Sequence, residues 1–101
     1  MAATILSIDT IVSDPAIRGG RPIIAGTGIR VVDIVAGHVY HNYSAEEIAA
    51  NYALSVGQVY AALAYYYMHK AEIDTDMRES AERAEKLLAE LDRQGKVIHL
   101  E

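Results

Sequence analysis

The distribution of hydrophobic and polar residues along the 101-residue chain changes twice and divides the chain into three segments. Up to Arg30 the chain is rich in Ile, Gly and Pro. From Val31 to Lys70 it carries few charges, and its apolar residues recur at helical spacing. From Ala71 to Glu101 it is highly charged. Because each pattern is typical of a different backbone conformation, each segment predicts a different kind of structure.

The first segment predicts short β-strands. Its apolar runs lie at Ile5–Ile8, Ile11–Val12 and Ile23–Ile24. The Gly-rich run from Arg18 to Pro22 predicts a turn, because glycine tolerates positive φ. Pro22 cannot donate to a ladder, so the strand that follows it is expected at a sheet edge.

The second segment predicts three helices, each with its own signal. Apolar spacing from Val31 predicts a helix to about His41. Ser44 with Glu47, and Ser55 with Gln58, have the spacing of capping boxes. They predict a second helix from Ala45 to about Asn51, and a third that runs from the second box to about Lys70.

The third segment predicts one long amphipathic helix from about Thr75 to Gln94, ended by Gly95. Its apolar residues are spaced four and three apart, as in a coiled coil or a helix that lies in a groove. They are Met77, Ala81, Ala84, Leu88 and Leu91. The run Val97–Leu100 predicts a further short strand. A solvated helix that covers its own domain is the alternative interpretation.

Two capped helices separated by a short turn are typical of a helix-turn-helix. Ile48, Ala49, Val59 and Ala62 supply the apolar and small residues that such a pair packs together, and Leu54 fills the turn. The predicted fold is mainly α with short N-terminal β-strands. It has a homeodomain-like three-helix helix-turn-helix core over residues 1–70, and a long C-terminal amphipathic helix with a short strand over residues 71–101. A scaffold that binds nothing is the alternative.

The net charge of −5 is concentrated in the last segment. Four bases and five acids precede Ala71, whereas five bases and nine acids follow from there. No Lys or Arg lies between Val31 and His69, although phosphate neutralisation by these residues supplies most non-specific DNA affinity. DNA contacts are therefore expected from the arginines of the first segment together with polar residues of the third helix. The candidates are Arg18, Arg21, Arg30, Ser55, Gln58 and Tyr60.

Several classes of function are disfavoured by composition. The chain has no Cys, no apolar run long enough to span a membrane and no signal-peptide pattern, so a soluble, cytoplasmic protein is expected. His38 and His41 lie three apart, but a core-edge role is favoured over a metal site. No phosphate-binding glycine motif is present. Neither an enzyme nor a cofactor is expected.

The chain resembles the bacterial and archaeal family catalogued as domain of unknown function 433, grouped with VapB-like antitoxins. The resemblance runs from about Ile11 to Lys70. Its motifs are Asp14-Pro15, Gly19-Gly20-Arg21-Pro22-Ile23-Ile24, Gly26-Thr27, Ser44-Ala45-Glu46-Glu47-Ile48 and Val59-Tyr60-Ala61-Ala62-Leu63-Ala64-Tyr65. It implies a winged or homeodomain-like helix-turn-helix, often encoded beside a PIN-like ribonuclease toxin. The chain departs from the common pattern at Gly28, Arg30 and Ala53.

Two hypotheses of function follow. The first is a homodimeric helix-turn-helix antitoxin that binds operator DNA and neutralises a PIN-like ribonuclease through its C-terminal segment. The partner-binding candidates are the five stripe residues Met77, Ala81, Ala84, Leu88 and Leu91, together with Val97 and Ile98. The second is a self-associating interaction module without DNA binding or catalysis, favoured by the base-free third helix and by Tyr65-Tyr66-Tyr67. A thin core and the strand-forming N-terminus predict dimerisation in either case.

Overall fold

The computed structural model describes residues 2–95, which are mainly helical and carry a two-stranded antiparallel sheet near the N-terminus. The strands are β1 (Ile11–Val12) and β2 (Ile23–Ile24), and the helices are α1 (Val31–Val35), α2 (Ala45–Tyr52), α3 (Val56–Met68) and α4 (Lys70–Arg93). A 3-10 turn, Arg18–Gly20, lies between the strands, and a π-helical stretch, Ala36–Tyr40, continues α1. The chain divides into two compact units between residues 69 and 70.

The sheet confirms two of the three N-terminal strand predictions. Ile11 pairs with Ile24 and Val12 with Ile23. The strand predicted at Ile5–Ile8 is wrong, because this segment has no regular structure and its apolar side chains are exposed, with Ile5 92% accessible. Each strand of the sheet is only two residues long, and the segment is not paired with either of them.

The helix predicted from Val31 to about His41 is present, with a change of winding. α1 gives way after Val35 to the π-helical stretch, which ends at Tyr40. At the start of α1, Asp33 accepts a hydrogen bond from the backbone N–H of Arg30 at 3.0 Å and forms an ion pair with its guanidinium at 2.9 Å. This i, i+3 pair closes the first turn of the helix in the manner of a capping box.

Both predicted capping boxes are confirmed, and they set the starts of α2 and α3. The Ser44 hydroxyl accepts from the Glu47 N–H, and a Glu47 carboxylate oxygen accepts from the Ser44 N–H, each at 3.1 Å. Ser55 and Gln58 repeat the arrangement at 3.1 and 2.8 Å. Between the two helices Ala53 adopts the left-handed conformation, with φ +56°. Glycine is the usual residue in that conformation, so the alanine is strained there.

The core lies where α3 packs against α1 and α2, with β2 beside them. The predicted anchors Ile48, Ala49, Val59 and Ala62 are buried. Of the three consecutive tyrosines, Tyr66 is buried, Tyr65 is half-buried and Tyr67 is exposed, as helical periodicity requires. The homeodomain-like arrangement of these helices stays a prediction.

The long C-terminal helix is confirmed and begins five residues before the predicted start. Its first turn carries an ion pair between Lys70 and Asp74 at 2.7 Å, and Ile73 is buried. It ends at Arg93, and Gly95 follows with φ +70°, as expected for a residue just past a helix C-terminus. The strand predicted at Val97–Leu100 lies outside the described residues.

Candidate interaction surfaces

The polar residues expected to read DNA from α3 are engaged with each other at the start of the helix. Ser55 Oγ accepts from the Gln58 N–H, and Gln58 Oε1 accepts from the Ser55 N–H. Adenine readout by glutamine uses the side-chain oxygen and nitrogen together. The Gln58 oxygen already accepts one hydrogen bond within the protein, so one lone pair of this oxygen is left to accept from a base.

The three candidate arginines lie in the segment that connects β1 to α1. Arg18 Nε donates to the Gly28 carbonyl at 3.1 Å, and Arg21 is half-buried. Arg30 donates to the Asp33 carboxylate through Nη2 at 2.9 Å and through Nε at 3.2 Å. Because Asp33 offsets the charge of Arg30, this arginine contributes less positive potential than its sequence position suggests.

The solvent face of α3 is apolar and aromatic. Tyr60 is 54% exposed, Tyr67 61% and Met68 80%. Tyr60, Tyr67 and Leu63 line one cleft together with His38 and Glu46, and Met68 lines another beside Ile8 and Ile11. A surface of this composition is typical of protein–protein contacts, in which tyrosine and methionine are enriched. The exposure of Ile5, Leu6 and Ile8 extends the apolar surface of this unit, and the strand prediction had missed it.

The apolar stripe of α4 is exposed over most of its length. Residues 81–90 are all exposed, while Met77 and Leu91 are half-buried. Leu88 is 56% exposed. Its neighbour Leu87 is 59% exposed, although the predicted stripe does not include it. Leu87 lies three residues after Ala84, and that helical spacing is the signal that could have included it. One flank of the stripe carries the acidic residues Glu85 and Asp92, so the helix presents an apolar seam beside negative charge.

The two histidines considered for a metal site have structural partners instead. His38 Nδ1 lies 3.0 Å from the Tyr43 carbonyl oxygen. The His41 ring stacks on the Tyr43 ring, with the two ring centroids 5.8 Å apart. Within residues 2–95, no three or more His, Asp or Glu side chains are grouped as a metal site requires.

Within the same range, no helix has the length and apolarity needed to cross a lipid bilayer.

Comparison with known proteins gives one result. Neither the curated proteins nor the solved structures include a match to this chain. A family model described as "Protein of unknown function (DUF433)" matches residues 11–66. This range includes the sheet, α1, α2 and most of α3, and it ends before α4. The match covers more than half of the sequence, and the chain therefore belongs to the DUF433 family.

Proposed function

We propose that this protein is an antitoxin with two separable parts. Residues 1–69 form a homodimeric helix-turn-helix unit that binds operator DNA, and α4 binds a PIN-like ribonuclease toxin. The observation that carries the proposal is the contrast between a capped, buried helix pair and a long acidic helix whose apolar stripe is exposed. An amphipathic helix that presents anchors at i, i+3, i+4 and i+7 is suited to a hydrophobic groove on a partner.

The charge of α4 supports a basic partner. From Lys70 to Gly95 the helix and its cap carry eight acids and five bases. The excess of acidic side chains on α4 would complement the basic, RNA-binding surface of a ribonuclease and steer the encounter. The stripe would then supply the apolar contacts of the complex.

The toxin-binding part is tested by co-purification with the ribonuclease encoded in the adjacent reading frame. Leu88→Glu, which places a charge in the stripe, should abolish capture. Lys86→Glu is the matched control, because it introduces the same side chain on the opposite face of α4. A chain truncated after Lys70 should also lose the toxin. Retained capture by the truncated chain or by Leu88→Glu would contradict this division of roles.

The DNA-binding part rests on α2 and α3, which are joined by three residues and both begin with a capping box. Since α3 lacks bases, Arg18 and Arg21 would have to supply phosphate contacts. We expect a mobility shift of DNA from upstream of the gene, with an affinity that falls steeply between about 50 and 200 mM salt. Each phosphate that a side chain neutralises adds about one to the salt slope, so Arg18→Gln should lower the slope by about one. Arg93→Gln removes the same charge from α4 and should leave the slope unchanged.

The second candidate is a self-associating module without DNA binding, and the apolar face of α3 favours it. Tyr60, Tyr67 and Met68 are exposed on a helix without bases. In that case no upstream DNA would shift at any salt concentration, whereas sedimentation would still show association. Tyr60→Ser would weaken this association, and Tyr52→Ser, an exposed tyrosine on α2, would be its control.

A further inference from the structure

The stripe of α4 has small and large residues in separate places. Ala81 and Ala84 lie near its middle, and Leu88 and Leu91 lie towards its C-terminal end. In a parallel pair of such helices, alanine would face alanine, and these layers would contain too little side-chain volume to fill the contact. In an antiparallel pair, each alanine can face a leucine, so that every layer has a similar volume. A similar side-chain volume in every layer stabilises the pair, because apolar interfaces are close-packed and atoms that line a void lose dispersion contacts.

We propose that α4 pairs with α4 of a second copy as an antiparallel coiled coil. In the register that matches small to large, Ala84 faces Leu88 of the second copy and Ala81 faces its Leu91. Because the contact is twofold symmetric, each of these layers occurs twice. The exposure of residues 81–90 leaves this stripe open to a second chain.

Charges on one flank support this orientation. Arg78, Glu85 and Asp92 are spaced seven apart beside the stripe. In the antiparallel register Arg78 lies next to Asp92 of the second copy, twice by symmetry, and Glu85 lies next to its own copy at the centre. In a parallel pair the facing flank would be Ser80, Leu87 and Gln94, which offers no opposite charge. Two attractive pairs against one repulsive pair favour the antiparallel arrangement.

The same arrangement covers Leu87. This residue lies on the other flank, level with the twofold axis, where it meets Leu87 of the second copy. The contact would bury a leucine that is 59% exposed in the single chain. A register shifted by one heptad would instead face Ala81 with Ala84, Met77 with Leu88 and Leu91 with Asp74, and would place Arg78 next to Glu85. Its layers range from two alanines to a leucine beside a carboxylate, so they fill the contact less evenly than the layers of the proposed register.

This inference goes beyond the proposed function, because it concerns the chain alone and requires no toxin. The toxin and the second copy would use the same stripe, so one would displace the other. Its tests need only the purified full-length chain, and their failure would leave the toxin capture experiment unaffected.

Orientation and register are tested by single cysteines, because the natural chain has none. In the proposed register the two copies of residue 87 lie about 3 Å apart along the axis, and the two copies of residue 80 about 18 Å apart. A disulfide needs Cα atoms within about 7 Å. In a glutathione redox buffer Leu87→Cys should therefore form a covalent dimer, whereas Ser80→Cys, on the same flank, should not.

Equal cross-linking of the two variants, or none of either, would overturn the proposal. Cross-linking only when Leu87→Cys is mixed with Ser80→Cys would indicate the register shifted by one heptad and contradict the one proposed.

Charge reversal gives an independent test by sedimentation equilibrium. Arg78→Glu should weaken the α4 association roughly tenfold, since two attractive pairs become repulsive. Asp92→Arg should do the same, and the double variant should restore the original affinity. Lys86→Glu, on the outer face, is the matched control and should have no effect. Leu88→Glu sets the baseline for any association that does not involve α4.

Substitution of Glu85 distinguishes the two registers, because they predict opposite changes in the affinity of the α4 pair. Glu85→Gln should strengthen the association severalfold, because it removes the repulsion at the twofold axis. A weaker association of Glu85→Gln, or a double charge reversal that fails to restore affinity, would overturn the proposed pairing. Hydrogen exchange of each variant should show unchanged protection of the buried helices in the N-terminal unit.

Discussion

The N-terminal unit and α4 use the same aliphatic residues in opposite ways. Ile48 in α2 is 1% exposed, and it lies within a set of buried side chains from β2, α1 and α3. Leu88 in α4 recurs at similar helical spacing and is 56% exposed. Periodicity therefore identifies an apolar face in both regions, whereas only neighbouring elements determine whether that face is a core. An apolar face that is exposed among the described residues, as at Leu88, is a candidate surface for another chain.

The largest expected difference between the two regions is the cost of removing an aliphatic side chain. Ile48→Ala should lower the free energy of unfolding by about 2–4 kcal/mol, because it leaves a cavity among buried side chains. Leu88→Ala removes the same number of carbons from an exposed site and should change it by less than about 0.5 kcal/mol. Urea denaturation at a concentration low enough to keep the protein monomeric measures both. Similar costs at the two positions would mean that the stripe is packed within a single chain.

Serine provides a second, smaller comparison between the regions. Ser44→Ala and Ser55→Ala should each cost about 1 kcal/mol, because each removes the hydroxyl that accepts an N–H at the start of a helix. Ser80, whose hydroxyl accepts from Arg83 on the surface of α4, is the matched control. Ser80→Ala should be close to neutral in thermal denaturation. A loss at Ser80 equal to that at Ser55 would argue that α4 contributes to the same cooperative unit.

The smallest expected effect is a gain in stability at the turn between α2 and α3. Ala53 has φ +56°, which costs a residue with a Cβ about 1 kcal/mol or more. Ala53→Gly should relieve this strain and stabilise the protein by about 0.5 kcal/mol, since part of the gain is offset by the greater entropy of the unfolded chain. Ala50→Gly, at an exposed position inside α2, should instead destabilise it by about 1 kcal/mol. Chemical denaturation of the pair tests whether the turn has the described conformation in solution.

Local signals predicted most of the fold. The two serine boxes located the starts of α2 and α3, and Gly95 located the end of α4, because these residues act on backbone groups within a few positions. The error at Ile5–Ile8 has a non-local cause: a strand needs a ladder partner, and the apolar run does not reveal whether one exists. The early start of α4 at Lys70 likewise escaped the apolar pattern, since the first turn carries an ion pair between Lys70 and Asp74.

The candidate surfaces were less predictable than the fold. The sequence did not predict the ion pair of Arg30 with Asp33, although it predicted the capping box in which Ser55 and Gln58 are hydrogen-bonded to each other. The spacing of Arg30 and Asp33 was available in the sequence, but their pairing depends on where α1 begins. The exposure of Tyr60 and Met68 depends on which face of α3 meets α1 and α2. Charge counting therefore identified the candidate DNA contacts without showing which of them already had a partner in the protein.

Hydrogen exchange of the full-length chain at two protein concentrations most directly tests the contrast between the buried core of the N-terminal unit and the exposed stripe of α4. Amides of the buried helices, such as those of Ile48 and Val59, should be protected at both concentrations, because their exchange requires unfolding of the core. Amides from Met77 to Leu91 should exchange rapidly in dilute solution, since an uncovered helix opens easily, and slowly in concentrated solution, where a second copy covers the stripe. Exchange in α4 that is as slow as in the core and independent of concentration would contradict the account.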